Sequence, residues 1–202
     1  AERYNSYLGM LEEDKKFRLL SVDGAETLEV ERGSTTAVFS KKTGTLARLI
    51  LKGGIVVFDD PTSGVVAGPR LTCARAFVDN DKWMLNGRRD KDRYTYGFFN
   101  SGLSQLRYHP EPFVIEGNRV KTVVDVAGAK GAGFRHECDY IFNRDGSVVL
   151  ENRVTPYGAM PGGLPRLGLS MMLGQFFENM RYYGRGPHEN YIDRSRSSFL
   201  GV

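Results

Sequence analysis

From Thr27 onward, apolar and polar residues alternate with a period of two, the pattern of strands that turn one face to a core. Thr27 to Glu31 and Thr35 to Ser40 are the first such runs. Lys41-Lys42-Thr43-Gly44 reads as a hairpin turn, with Gly44 free to take positive φ, and leads into Leu46 to Leu51. The Gly53-Gly54 turn then leads into Ile55 to Phe58, and Arg70 to Phe77 reads as another strand. Phe113 to Glu116 and Arg119 to Val126 flank the turn Gly117-Asn118. Gly133 to Asn143 and Ser147 to Pro156 flank Arg144-Asp145-Gly146, a strong hairpin signal. In the second of these, Val149, Glu151, Arg153 and Thr155 oppose Val148, Leu150, Asn152 and Val154, as in a half-buried strand. Arg166 to Leu173 and Met180 to Tyr183 complete the set. Roughly ten short strands separated by turn signals predict an all-β fold, a large antiparallel two-sheet sandwich.

Two stretches depart from this pattern. The charged, weakly patterned start (Glu12-Glu13-Asp14-Lys15-Lys16) assigns residues 1–24 to a linker or irregular lead-in and residues 25–202 to the sandwich. The stretch from Asp79 to Ser104 mixes polar and aromatic residues without a period, and predicts a long excursion with one short helix. Gly158 to Gly163 is a Gly/Pro loop.

Composition narrows the class. A chain of 202 residues, 41% hydrophobic and 26% charged, is long enough for one domain with a core, and its 24 glycines suit a turn-rich β fold. The net charge of +4 is mild, and basic residues interleave with acidic ones, as in Arg88-Arg89-Asp90-Lys91-Asp92-Arg93. Nucleic-acid binding would want a one-sided basic stripe, so no nucleic-acid partner is expected. No apolar run is long enough to span a membrane, and no signal peptide is visible. An excised domain would carry no targeting signal, so cytoplasmic and periplasmic locations both stay open. Cys73 and Cys138 are either buried thiols or one disulfide, and without a histidine cluster they do not suggest a metal site.

The densest chemistry lies near the end: Arg181-Tyr182-Tyr183-Gly184-Arg185-Gly186-Pro187-His188-Glu189-Asn190-Tyr191-Ile192-Asp193-Arg194. Glycines and a proline fix the backbone path while charged and amide groups crowd together, a segment built to hold a polar network in one geometry. This run resembles the GxGPxENYxDR signature of the large β-galactosidases, the family-two glycoside hydrolases. Three more stretches agree in family order: Phe39 to Leu46, Gly68-Pro69-Arg70-Leu71 followed by Arg75 to Asp81, and Pro165-Arg166-Leu167-Gly168. Phe77 stands where the family's motif usually has proline. The likeness runs from about Ala25 to the end. It implies the β-sandwich domain that follows the catalytic barrel, with a galactose mutarotase-like fold, incomplete at its C-terminal end because the family's domain continues past this point. It implies a parent that hydrolyses terminal β-galactosides with retention, a homo-oligomer, partnership with the rest of the parent chain, and no cofactor in this domain, the family's divalent cation lying elsewhere. A sandwich short of its last strands would expose an edge, so dimerisation, covering loops or local disorder would compensate.

Glycoside hydrolysis needs two carboxyl groups across a sugar. Glu189 with Asp193, or Asp79 with Asp81, could be imagined in those roles. Carboxylates beside Arg185, Arg194 and Arg75 are more naturally ion-paired and ionised, whereas a general acid needs a raised pKa. The resemblance agrees, since both catalytic glutamates of the family lie in the barrel on motifs absent here; no catalytic residue is assigned. Arg75, Asp79, Asn80, Asp81, Arg166, Arg185, Pro187, Asp193 and Arg194 form the expected structural motif. Asp79-Asn80-Asp81 lacks the full ligand pattern of a calcium loop and reads as a cap for the excursion. Trp83, Tyr94, His188, Glu189 and Asn190 are the residues expected nearest carbohydrate, with Trp83 either stacking on a sugar or packing at the sandwich edge. His188 is a proton-transfer group or, in the blander reading, a neutral histidine fixing its turn.

Two alternatives accompany the accessory domain. A free-standing sugar-binding module would use Trp83, Tyr94 and Tyr96 as its platform. An aldose mutarotase-like epimerase would use His188 with Glu189, or His136 with Glu137, as acid and base.

Overall fold

The computed structural model describes residues 18–59, 67–78, 95–188, 196 and 198–201. The chain divides into two compact units, one ending at Met172 and the other beginning at Leu173.

Among the described residues, the first unit holds two five-stranded antiparallel sheets and one two-stranded pair. One is a five-stranded meander in sequence order: β1 (Leu20–Asp23), β2 (Thr27–Arg32), β3 (Thr35–Ser40), β4 (Thr45–Leu51) and β5 (Ile55–Asp59). The β3–β4 turn closes at Gly44, whose φ is 69°. Bulges lie between Val38 and Phe39 and between Leu49 and Ile50. The second sheet is built on two long strands, β9 (Arg119–Gly128) and β10 (Gly133–Phe142), with β11 (Val148–Tyr157) at one side. On the other side, β7 (Leu106–Pro110) and β8 (Val114–Glu116) share the length of β9. Prolines at 110 and 112 interrupt that edge, where a missing N–H does least harm. Between the sheets in sequence come β6 (Arg70–Thr72), which pairs with β12 (Gly168–Ser170), and a short helix α1 (Thr95–Asn100).

Alternation packs the sheets together. Leu28, Val30, Ala37, Phe39, Leu46 and Phe58 of the first sheet share a core with Val120, Cys138, Tyr140 and Phe142 of the second. Phe39 meets Tyr140 edge-on at 5.0 Å and lies tilted to Phe113 at 5.6 Å. A second cluster gathers Leu71, Cys73, Phe98, Leu103, Val124, Val126 and Phe134 beneath the other half of β9 and β10. Where the two clusters meet, the inner face of the second sheet turns polar. Buried Thr122 and His136 lie in neighbouring rows there, and His136 Nε2 is 2.8 Å from Asn152 Oδ1. One end of the sandwich is tied by side chains. Arg32 and Asn118 both donate to the Phe142 carbonyl, and Thr35 Oγ1 donates to the Gly146 carbonyl.

The all-β antiparallel sandwich is thus the fold that the alternation predicts. Both hairpins flanking Gly117-Asn118 and Arg144-Asp145-Gly146 form. Details differ. β1 falls inside the stretch read as irregular lead-in. β7 was not expected at all, since Leu-Arg-Tyr-His-Pro offers no clean alternation. The strand expected over Arg70 to Phe77 stops at Thr72, and that over Arg166 to Leu173 shrinks to Gly168–Ser170. The cysteines are free, buried thiols.

In the second unit, β13 (Gly184–Gly186) pairs with β14 (Phe199–Gly201). The strand expected at Met180 to Tyr183 is not formed; the observed one begins immediately after it, at Gly184.

Candidate functional site

Two of the sequence motifs are one local structure. Pairing of β6 with β12 sets Arg70 opposite Ser170 and Thr72 opposite Gly168, so Gly68 to Leu71 and Pro165 to Gly168 are neighbours. Past β6, Arg75 donates from Nε to the Pro165 carbonyl at 2.8 Å and from a terminal nitrogen to the Ala76 carbonyl at 3.0 Å. Arg166 donates to the Leu169 carbonyl at 3.3 Å. Both guanidinium groups bind backbone oxygens, and the Arg75–Pro165 bond joins the two segments. Arg70 lays its guanidinium 4.6 Å from the centre of the Tyr108 ring, whose hydroxyl donates to the Leu71 carbonyl at 3.0 Å. Gly68 passes so close to β4 that a Cβ there would overlap the Leu46 carbonyl, with its carbon 2.7 Å away.

Phe77 packs edge-on against Phe98 at 6.3 Å and tilted against Phe99 at 5.5 Å, joining the excursion's start to α1. Tyr96 lies on α1 itself. Trp83, Tyr94, Asp79, Asn80 and Asp81 lie outside the described residues, as do Glu189, Asn190, Asp193 and Arg194.

Of the tail motif, Arg185 sits on β13, and Pro187 and His188 follow it, all three exposed. Ser198 Oγ donates to the His188 carbonyl at 3.4 Å. Tyr182 lies along both glycines: a Cβ on Gly186 would stand 2.8 Å from its hydroxyl, and one on Gly184 would stand 3.3 Å from its ring. Met180, Tyr182, Pro187 and Phe199 line a concavity of about 590 Å³ within this unit.

Several carboxylates on or beside the second sheet's outer face are engaged with cations. Arg119 binds Asp139 at 2.9 Å with Glu151 at 3.9 Å, Lys121 binds Glu137 at 3.3 Å, and Arg135 binds Glu111 at 2.5 Å. The hydrogen bond from Arg135 holds the Glu111 carboxyl below its usual range, and bonds from Ser147 do the same for Asp145. Tyr157 donates to Asp125 at 2.6 Å. His136 and Glu137 are successive residues of one strand and face opposite sides of the sheet, one buried inward and one in the outer ion pairs. They cannot serve one substrate as acid and base. Burial also lowers the His136 pKa and pushes the Cys138 thiol up to about 12, which makes that sulfur inert. Among the described residues, no three His, Cys, Asp or Glu side chains gather to hold a metal ion, and no helix is long and apolar enough to cross a membrane.

What sequence reading missed is Arg70 on Tyr108 and Phe77 on α1. Neither has a periodic signal, though the exchange of proline for phenylalanine at 77 marks the second.

Two antiparallel sheets that share a core define an all-β sandwich. The chain belongs to the beta galactosidase small chain family, whose profile matches residues 31–202. It is 27% identical to a beta-galactosidase of Priestia megaterium over 187 residues, 91% of this chain and 16% of that protein. A beta-galactosidase of Vibrio cholerae is likewise 27% identical over 181 residues, 87% of this chain and 17% of that protein. A beta-galactosidase of Yersinia enterocolitica is 37% identical over 59 residues, 29% of this chain and 6% of that protein. At 16% and 17%, the chain spans about one sixth of the length of the first two.

Proposed function

We propose that this chain works as a non-catalytic β-sandwich within a longer β-galactosidase that hydrolyses terminal β-galactosides. It braces the catalytic domain, helps to wall the active site and supports assembly of the enzyme. The observation that carries this reading is that two motif arginines are bound to backbone and that carboxylates of the second sheet are paired with cations. Arg75 and Arg166 are bound to carbonyl oxygens, and Glu111, Glu137 and Asp139 are bound to Arg135, Lys121 and Arg119. A retaining glycosidase needs one carboxyl group held protonated near neutral pH, and cation contacts work against that. The family and the short span of long relatives support the same reading. A mutarotase-like arrangement of the whole domain and the sugar-facing roles of Trp83, Tyr94, His188, Glu189 and Asn190 belong to this proposal as well. Its test is the longer reading frame. A protein containing these residues and an upstream barrel should release galactose with retained anomeric configuration, read by proton NMR. A reading frame that encodes no such barrel would refute it.

A further inference from the structure

The two sheets present unlike outer faces. That of the second sheet carries Arg119, Lys121, Arg135, Glu137 and Asp139 in cross-strand ion pairs, a surface suited to water. That of the first sheet is apolar at both ends. Register places its outward residues in two rows across the five strands. One row runs Leu20, Glu31, Thr36, Ile50, Val56, and the other Val22, Glu29, Val38, Arg48, Asp59. Leu20 is 72% exposed, Val22 70% and Val56 44%. β1 is the cause of the imbalance. It turns its polar residues, Ser21 and Asp23, to the side where β2 puts buried Val30 and Leu28, and its apolar residues outward. A strand with an inverted pattern is out of place on a solvent-facing edge, because its outward leucine and valine gain nothing there.

The charges on this face have a definite sense. Arg48 is closed by a bidentate bond to Asp59 at 2.9 and 2.7 Å. Glu29 and Glu31 remain between the apolar ends as an acidic centre. A matching surface would be apolar with lysine or arginine opposite Glu29 and Glu31. A second copy of the same face would set its own acidic centre against this one.

We propose that the outer face of the β1–β5 sheet is the surface through which this domain docks onto the remainder of its own longer polypeptide. The contact patch there is apolar and bears basic side chains. The inference rests on the reading of the chain as part of a longer β-galactosidase; relatives about six times its length supply ample chain to cover the face. Leu20 and Val22 seat in that patch, and Glu29 and Glu31 set its orientation.

The test uses the full-length enzyme. Hydroxyl-radical footprinting read by mass spectrometry should find Leu20 and Val22 protected to the level of buried Val30. Val22→Lys should lower the melting temperature of the enzyme by about 3 °C or more, while Thr155→Lys on the other sheet leaves it unchanged. Free labelling of Leu20 and Val22, or an unaltered melt of the Val22→Lys enzyme, would overturn the proposal. So would a halved molecular mass of that variant in analytical ultracentrifugation, which would assign the face to a second copy. These failures differ from failure of the parent reading, which would appear as the absence of any longer galactosidase.

Discussion

Gly68→Ala isolates the close approach between β4 and the start of β6. The backbone at Gly68 lies against the Leu46 carbonyl, and an added methyl would overlap that oxygen and stand 2.7 Å from its carbon, where ordinary contacts begin at 3.4 Å. The obstacle is backbone, so no side-chain rotation relieves it. Displacing it moves Leu46 and Phe58, 1% and 3% exposed, which line the core shared by the two sheets. Overpacking of this kind costs about 1–3 kcal/mol, and an immovable backbone places it near 3 kcal/mol. For a chain of this size that is a fall of roughly 6–12 °C in melting temperature. Gly33→Ala is the comparison. Its φ is 61° with open space around it, so only left-handed strain of about 1 kcal/mol is expected. Differential scanning calorimetry of both variants decides the matter. Equal shifts, or a Gly68→Ala melt within a degree or two of the parent sequence, would refute the steric argument.

Further outcomes follow from buried groups. Burial lowers the His136 pKa below its ordinary value, so the folded ring is neutral while the unfolded one titrates near 6.5. The stability it lends is complete above that pH and is lost as pH falls through it toward the folded pKa. The urea midpoint should therefore fall more steeply from about pH 7.5 to about pH 5 for the parent sequence than for His136→Gln, and parallel slopes would count against the buried imidazole. Cys73 and Cys138 are free and buried, so a thiol reagent should find both only after unfolding, and reducing agent should leave the melt unchanged. Fewer than two reactive thiols in denaturant without reductant would contradict this.

Much of the sandwich was legible because its central strands alternate cleanly. Thr35 to Ser40 forms β3 over those same bounds, since Thr35, Ala37 and Phe39 are buried while Thr36, Val38 and Ser40 are less so. β10 and β11 were readable from the Arg144-Asp145-Gly146 turn between them. The elements that escaped have other reasons to exist. β1 carries the opposite pattern from its neighbours, β7 includes a proline, and β6 and β12 are held by three-residue pairing and by Arg75 reaching across to the Pro165 carbonyl. The motifs were visible as unusual residues, but their causes are contacts between segments far apart in sequence. Gly68 answers to Leu46, Arg75 to Pro165 and Phe77 to Phe98. No local pattern encodes such pairs.

On the proposed reading, these residues supply shape and leave bond cleavage to another part of a longer polypeptide. The most direct measurement is hydrolysis of a chromogenic galactoside by the purified chain, across chain concentrations and with a divalent cation added. Release no faster than buffer is expected at every concentration. Turnover that rises in proportion to the chain and disappears on substitution of one of its own carboxylates would contradict it.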